Sequence, residues 1–371
     1  MPDVEDRAGP AAFSLMPAPH LSVGMSTSRM TWLVSLCLLP AAGWGVFLFG
    51  TPALIVLVVS VCAAVLAELA ATLPFRRFTL PDGSAVLTGF IVGLLMPAGV
   101  PAFVPAAASA FAILVVKQTF GGLGRNWMNP AMGGVVFALL SWPGLMSQWI
   151  TPRGGSAQAA VMPPLGALRA ALGAPGVKDA TPLAVLSRAG FTFSDIDSQV
   201  VGWINSHVLA PLGTALAPGT FDVLVGHVAG GIGTVSAPFL LLGAWFLLSR
   251  GVIRWHLPVC YAGTFSLLAA IFGGLGTGQG WFAGGPGFHL LSGSLVLGAF
   301  YAAPDPVTSP LTNRGKCIFG VGLGILTFLL RFFGSLGDGV AASIVLGNCA
   351  SPLLDRWTSR RATEDVREGA A

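Results

Sequence analysis

Pro52-Ala53-Leu54-Ile55-Val56-Leu57-Val58-Val59-Ser60-Val61-Cys62-Ala63-Ala64-Val65-Leu66-Ala67-Glu68-Leu69-Ala70-Ala71-Thr72-Leu73 is an unbroken apolar run whose only charge is Glu68. A helix crosses the hydrocarbon core of a bilayer in about 20 such residues. The run lacks the alternation of a strand that faces lipid on one side and a lumen on the other, so it predicts a transmembrane helix. Working outward, further apolar runs span 30 to 50, 84 to 98, 101 to 119 and 130 to 149. After a gap, others span 222 to 249, 257 to 275, 286 to 303, 316 to 333 and 339 to 355. The fold class is therefore an all-α polytopic membrane protein with about ten transmembrane helices.

Composition agrees. Of 371 residues, 54% are hydrophobic and 9% are charged, against about 25% charged in soluble domains, and the mean hydropathy is +0.78. A soluble globule is excluded. The 50 glycines and 27 prolines suit bilayer helices, where small residues permit close approach and neighbours re-satisfy carbonyls freed by proline. The net charge of +4 belongs to loops, so no nucleic-acid partner is implied; the lipid bilayer is the implied surrounding. Cys37, Cys62, Cys260, Cys317 and Cys349 sit in or beside apolar runs with no Cys-x-x-Cys, which predicts buried small hydrophobes rather than a disulfide, a metal site or a cluster.

Arginine and lysine set the orientation. They fall in the N-terminal tail (Arg7, Arg29), in alternate short loops (Arg76 and Arg77; Arg125; Arg250 and Arg254; Arg314 and Lys316) and in the C-terminal tail (Arg356, Arg360, Arg361). The loops around 50, 99 and 280 have none. Both termini are predicted to be cytoplasmic. The chain divides into a cytoplasmic tail (1–29), a first five-helix repeat (30–149), an external segment (150–221), a second five-helix repeat (222–357) and a cytoplasmic tail (358–371). The first apolar run is long enough to be a retained anchor rather than a cleaved signal peptide. Leu87-Thr88-Gly89 followed by Pro97 is echoed by Leu291-Ser292-Gly293 followed by Pro304. Gly121-Gly122-Leu123-Gly124 is likewise echoed by Gly334-Ser335-Leu336-Gly337. An odd number of spans per half makes such copies inverted, with sites expected between them.

Glu68 is a carboxylate inside hydrocarbon, which is costly unless paired. It reads either as an ion or proton site or as the partner of Arg76 or Arg77. Lys117 and Arg331 lie near span ends, where snorkelling explains them. His227 and His289 read as hydrogen-bonded packing residues. Two loops combine groups able to hold an anion or a ring-bearing ligand: Gly121 to Pro130, with Arg125, Asn126 and Asn129, and Pro304 to Lys316, with Asp305, Thr308, Ser309 and Arg314. Backbone amides, a helix start at Pro130 and one cation in each loop are the ingredients.

These loops, with Lys117-Gln118 before the first, Arg314-Gly315 in the second, Asp82-Gly83-Ser84-Ala85 and the closing Asn348 to Arg356, resemble the D-type integral membrane subunit of the Rnf electron-transport complex. More distantly they resemble the B-type membrane subunit of the Na+-translocating NADH:quinone reductase. The resemblance runs from about residue 30 to 357. It implies ten helices in two inverted repeats, a bacterial inner-membrane location, further complex subunits as partners, and electron flow between ferredoxin and NAD coupled to Na+ or H+ movement. As an enzyme, the chain would be one subunit of a translocase, with no catalytic residue of its own nominated. The resemblance also implies FMN joined to a threonine by a phosphoester, with a flavin transferase as the delivering partner, and it leaves room for a second, non-covalent flavin. The matching stretch is Pro175 to Leu183, and it nominates Thr181; Pro175, Lys178 and Asp179 depart from the family pattern, and Thr181 also reads as the cap of a helix starting at Pro182. Thr234 stands where the family pattern has a glutamate. A flavin-free channel or transporter, and a scaffold subunit of the same architecture, remain the alternatives.

Overall fold

In the computed structural model of the chain, residues 26–75, 79–153, 163–172, 183, 186, 193–212, 215–275, 280–282, 284–334 and 336–368 are described. Among them the backbone is helical, and the one extended pairing is an isolated antiparallel bridge, Pro97 with Gly231. In chain order the helices of the first half are α1 (Thr27–Phe49), α2 (Thr51–Thr72), α3 (Ser84–Leu95), α4 (Phe103–Phe111, continued by a π-helical stretch Ala112–Gln118) and α5 (Pro130–Ser141). The linking segment holds α6 (Pro164–Leu172) and α7 (Asp195–Ile204). Then come α8 (Thr220–Val225), α9 (Ala237–Ser249), α10 (His256–Phe272), α11 (Pro286–Leu291), α12 (Leu295–Leu297, continued by a π-helical Gly298–Ala302), α13 (Asn313–Phe333) and α14 (Val340–Glu368).

Thr27–Phe49, Thr51–Phe75 and Asn313–Phe333 are long and apolar enough to cross a membrane. Their outer faces expose Leu36, Leu39, Phe47, Ile55, Val58, Leu66 and Leu329, whereas Glu68 and Arg331 are buried. Apolar side chains outside and charges inside is the arrangement lipid demands. The chain is a helical membrane protein.

Local chemistry explains where the helices start. Ser26 accepts the Arg29 amide at the head of α1, Asn129 accepts the Met132 amide ahead of Pro130 in α5, and Thr312 accepts the Gly315 amide in α13. Each satisfies a backbone donor that the first helical turn leaves free. In the linking segment, the Asp197 carboxylate on α7 caps α8 by accepting from Gly219 and Phe221, while Asp222 on α8 accepts from the Ser194 amide and hydroxyl ahead of α7.

Four of the apolar runs are not continuous helices. The run 84 to 98 ends as helix at Leu95, the run 222 to 249 is helical only at its two ends around an irregular 226–236, the run 286 to 303 breaks between α11 and α12, and the run 130 to 149 is α-helical only to Ser141. The first two breaks answer each other: Ile232 donates to the Met96 carbonyl at 3.1 Å and Gly233 to the Leu94 carbonyl at 2.8 Å. Unwound backbone is tolerated at this depth when it is buried and paired. Gly45 on α1 is required beside the break, because a Cβ there would collide with the Ile232 carbonyl.

Packing joins α2 to α3 and α4, α4 to α5, α10 to α13, and α13 to α14; the halves meet through α1 against α9 and α5 against α14. One apolar core runs through both halves.

Candidate functional site

Two cavities lie at opposite ends of α3. The smaller, about 100 Å³, is lined by Ser84 at its first turn; the larger, about 580 Å³, by Leu95 at its last. At about 1.5 Å per residue Ser84 and Leu95 stand roughly 17 Å apart along the helix.

At the first end, the Asp82 carboxylate accepts the Ser84 amide at 2.8 Å and the Ser84 hydroxyl at 2.5 Å, with Gly83 supplying the left-handed turn (φ 73°) that starts α3. The Lys117 ammonium, from the π-helical end of α4, donates to Glu68 Oε2 at 2.5 Å and to Ser84 Oγ at 2.6 Å. Thr79 donates to Glu68 Oε1 at 2.6 Å. Glu68 is wholly buried and Lys117 is 1% exposed. Lys117 therefore does not snorkel: its chain turns inward because the carboxylate it neutralises is buried on the neighbouring α2, and an unpaired charge there is costly. Among the described residues the charged partner of Glu68 is Lys117; Arg76 and Arg77, the partners anticipated from sequence, lie outside the described residues.

Lys117 lines the smaller cavity together with Thr31, Ser84, Asn126, Asn129 and Asp305. The structure thus brings together three of the residues picked from the two loops. Asn129 is also a tether, since its Nδ2 donates to the Ala302 carbonyl at 3.0 Å. Asn126 Oδ1 is buried with no hydrogen-bond partner among the described residues. Asp305 is held by the Val307 amide at 3.3 Å and the Thr308 hydroxyl at 3.2 Å. Burial pushes its carboxyl up from the ordinary range, against the opposite effect of those two donors. Thr308 and Ser309 are buried in the turn and do not line the cavity; Arg125 and Arg314 are exposed and do not line it either. Arg125 lies in the loop ahead of α5 and Arg314 in the first turn of α13, and both side chains are exposed.

At the other end, Arg331 on α13 is 3% exposed, so the snorkelling reading fails here too. It donates through Nε to the Asp338 carbonyl at 3.0 Å and through Nη1 to the His289 carbonyl, and its guanidinium stands 4.7 Å from the centre of the Phe265 ring. The Asp338 carboxylate accepts the Ser294 amide at 2.5 Å and hydroxyl at 2.6 Å, and lies 3.8 Å from Arg331 Nη2. Arg331, Asp338, Ser292, Ser294 and Thr234 line the larger cavity among Leu95, Val135, Leu139, Val228 and Leu291. Ser292 Oγ is buried with no partner among the described residues. Sequence reasoning misses Asp338, although Asp338-Gly339 repeats the Asp82-Gly83 pair, down to a positive φ at each glycine.

Thr181, Pro175, Lys178 and Asp179 fall outside the described residues. Leu183 packs with Leu168, Leu186, Val223, Val228 and Phe288; Val223 and Val228 also line the larger cavity.

Residues 14–364 match the profile described as the NQR2, RnfD, RnfE family. The chain is 36% identical over 349 residues to the D-type subunit of the proton-translocating ferredoxin:NAD(+) oxidoreductase complex of Clostridium ljungdahlii, covering 93% of this chain and 94% of that one. It is 33% identical over 347 residues to the Na(+)-translocating counterpart of Acetobacterium woodii, covering 93% of each. It is also 33% identical over 368 residues to the D-type subunit of the ion-translocating oxidoreductase complex of Cronobacter sakazakii, covering 94% and 98%.

Proposed function

The chain belongs to the NQR2, RnfD, RnfE family, and from that premise we propose that it is the D-type membrane subunit of a ferredoxin:NAD+ oxidoreductase complex that moves H+ or Na+. The observation that carries this reading is similarity over nearly the whole length to relatives so named. Its partners are then the other subunits of that complex. Ten spans in two inverted repeats, with cytoplasmic termini in a bacterial inner membrane and 150–221 external, complete the reading. In support, Lys117 and Arg331 occupy equivalent places ahead of the echoed glycine loops, and each answers an Asp-Gly pair at a helix start.

FMN on Thr181 is part of the proposal, delivered by a flavin transferase. A flavin bound there supplies the redox chemistry. The larger cavity fits such a group: its volume lies within the range of ligand pockets, its walls are mostly apolar, and Ser292 Oγ waits there without a partner. Arg331 offers positive charge and Ser292 a hydroxyl, while the apolar walls exclude water. Leu183, two positions after Thr181, is anchored in the cluster that shares Val223 and Val228 with the cavity. The smaller cavity, as it stands, has room for a few water molecules and not for the rings of a second, non-covalent flavin, so none is assigned to it.

Purification of the tagged chain from its own membranes tests the reading. Further subunits and NAD+ reduction by reduced ferredoxin should copurify, and denaturing electrophoresis should show flavin fluorescence that Thr181→Ala removes. A chain that purifies alone and passes cations without an electron donor is a channel or transporter instead.

A further inference from the structure

Lys117 stands between two oxygen-rich places. Behind it lies a nest of hard oxygens: the buried Glu68 Oε2 and Ser84 Oγ in direct contact, with the half-buried Asp82 bonded to Ser84 and Thr79 bonded to Glu68. Among the described residues that nest carries two carboxylates against one ammonium. In front lies the small cavity, whose wall offers Asn126 Oδ1, a buried acceptor with no partner, and Asp305. Oxygen donors of this kind suit a hard cation or a proton, and the ammonium on its flexible stem is a compact charge that fills the same place.

We propose that Glu68, Ser84, Asp82 and Thr79 form a monovalent-cation site, now filled by the Lys117 ammonium, and that a cation from the cavity takes the ammonium's place when Lys117 swings out to Asn126 and Asp305. One positive charge leaves Glu68 as another arrives, so the buried carboxylate is never left bare, which is the state that costs most. The unpartnered Asn126 oxygen gives the displaced ammonium an acceptor, and Asp305 gives it a counter-charge. Negative charge appearing near the cavity when the complex is reduced favours the outward position of Lys117 and thereby cation uptake. A site gains coupling when its affinity differs between two such states. The proposal deepens the functional reading above and rests on it, with Na+ and H+ as the two sources of one chemistry.

The test uses the whole purified complex, with 22Na+ binding in one arm and proton uptake, followed by a pH-sensitive dye, in the other. In the unaltered complex one of the two should rise on reduction, by about tenfold in affinity. Lys117→Gln should bind that ion tightly in both redox states, about tenfold above the unaltered oxidised complex, and so lose the redox dependence. Lys117→Gln that keeps the unaltered affinities overturns the proposal while leaving the functional reading intact. A complex that takes up neither ion on reduction overturns the functional reading and the proposal together. If Lys117→Gln does not assemble, the neutral pair Glu68→Gln with Lys117→Met serves. It should assemble and take up neither ion; redox-linked uptake surviving in that variant overturns the proposal.

Discussion

The two ends of the molecule each bury one cation, yet they hold it by different chemistry. Arg331 is fixed by neutral groups: two backbone carbonyls and the face of Phe265, with the Asp338 carboxylate at 3.8 Å and already engaged by Ser294. Lys117 is fixed by a carboxylate and a serine hydroxyl, each of which another cation can also use. A planar guanidinium with several directed bonds is a clamp, whereas an ammonium on a flexible stem is exchangeable. A buried cation thus serves as a strut at one end and as a plug at the other.

The comparison breaks first at the strut. Arg331→Ala leaves the His289 and Asp338 carbonyls without this donor in a buried place, and should lower stability by about 3–5 kcal/mol. Thermal unfolding in detergent should show a loss that neither NaCl nor KCl repairs. Lys117→Gln strips the buried Glu68 carboxylate of its ammonium and should also cost about 3–5 kcal/mol in salt-poor buffer, but here the transported cation should restore most of the loss by occupying the oxygens left behind. Equal repair of both variants by salt, or repair of neither, would erase the distinction between strut and plug.

A smaller effect sharpens it. Asp82→Asn and Asp338→Asn each weaken two charge-assisted bonds to a serine that starts a helix, and each should cost about 1.5–3 kcal/mol. Only Asp82→Asn should also change cation dependence, because Ser84 accepts from the exchangeable Lys117, whereas the Ser294 hydroxyl is spent on Asp338. Unfolding curves of the two variants across a salt series check this.

Much of this was legible in the sequence. The apolar runs located most of the long helices, and Pro130 marked a helix start that the structure keeps. The cost of Glu68 in hydrocarbon announced that it needed a partner. What could not be read was which partner. Lys117 lies on another helix, and a cation near the end of a span satisfies hydropathy equally by turning out to water or inward to a carboxylate. The breaks at 96–102, 226–236 and 292–294 were hidden for a related reason: hydropathy counts side chains, whereas these segments depend on backbone groups such as those of Met96 and Ile232 finding each other. Arg125 and Arg314 stay outside the small cavity, and sequence had no means of separating them from Asn126 and Asp305, because loop charge marks topology as readily as it marks a ligand. The Asp-Gly signal shared by 82–83 and 338–339 was available, and it leads to both clusters.

The smallest effect concerns the rim of the plug. Asp305 lines the small cavity together with Lys117, and burial raises its carboxyl pKa above the unfolded value. The folded chain therefore keeps this proton at a pH where the unfolded chain has begun to release it. By linkage, stability is fully present below the unfolded carboxylate value near 4 and falls as pH rises through the folded value. Asp305→Asn, which stays neutral and retains an acceptor for Val307 and Thr308, should flatten that part of the pH profile and be relatively more stable above it. Unfolding temperatures of the unaltered chain and Asp305→Asn from pH 4 to pH 7 read the difference. Parallel profiles would mean that Asp305 is ionised in the folded chain throughout, as a fixed anion facing Lys117 rather than a group the cavity keeps neutral until the ammonium swings toward it.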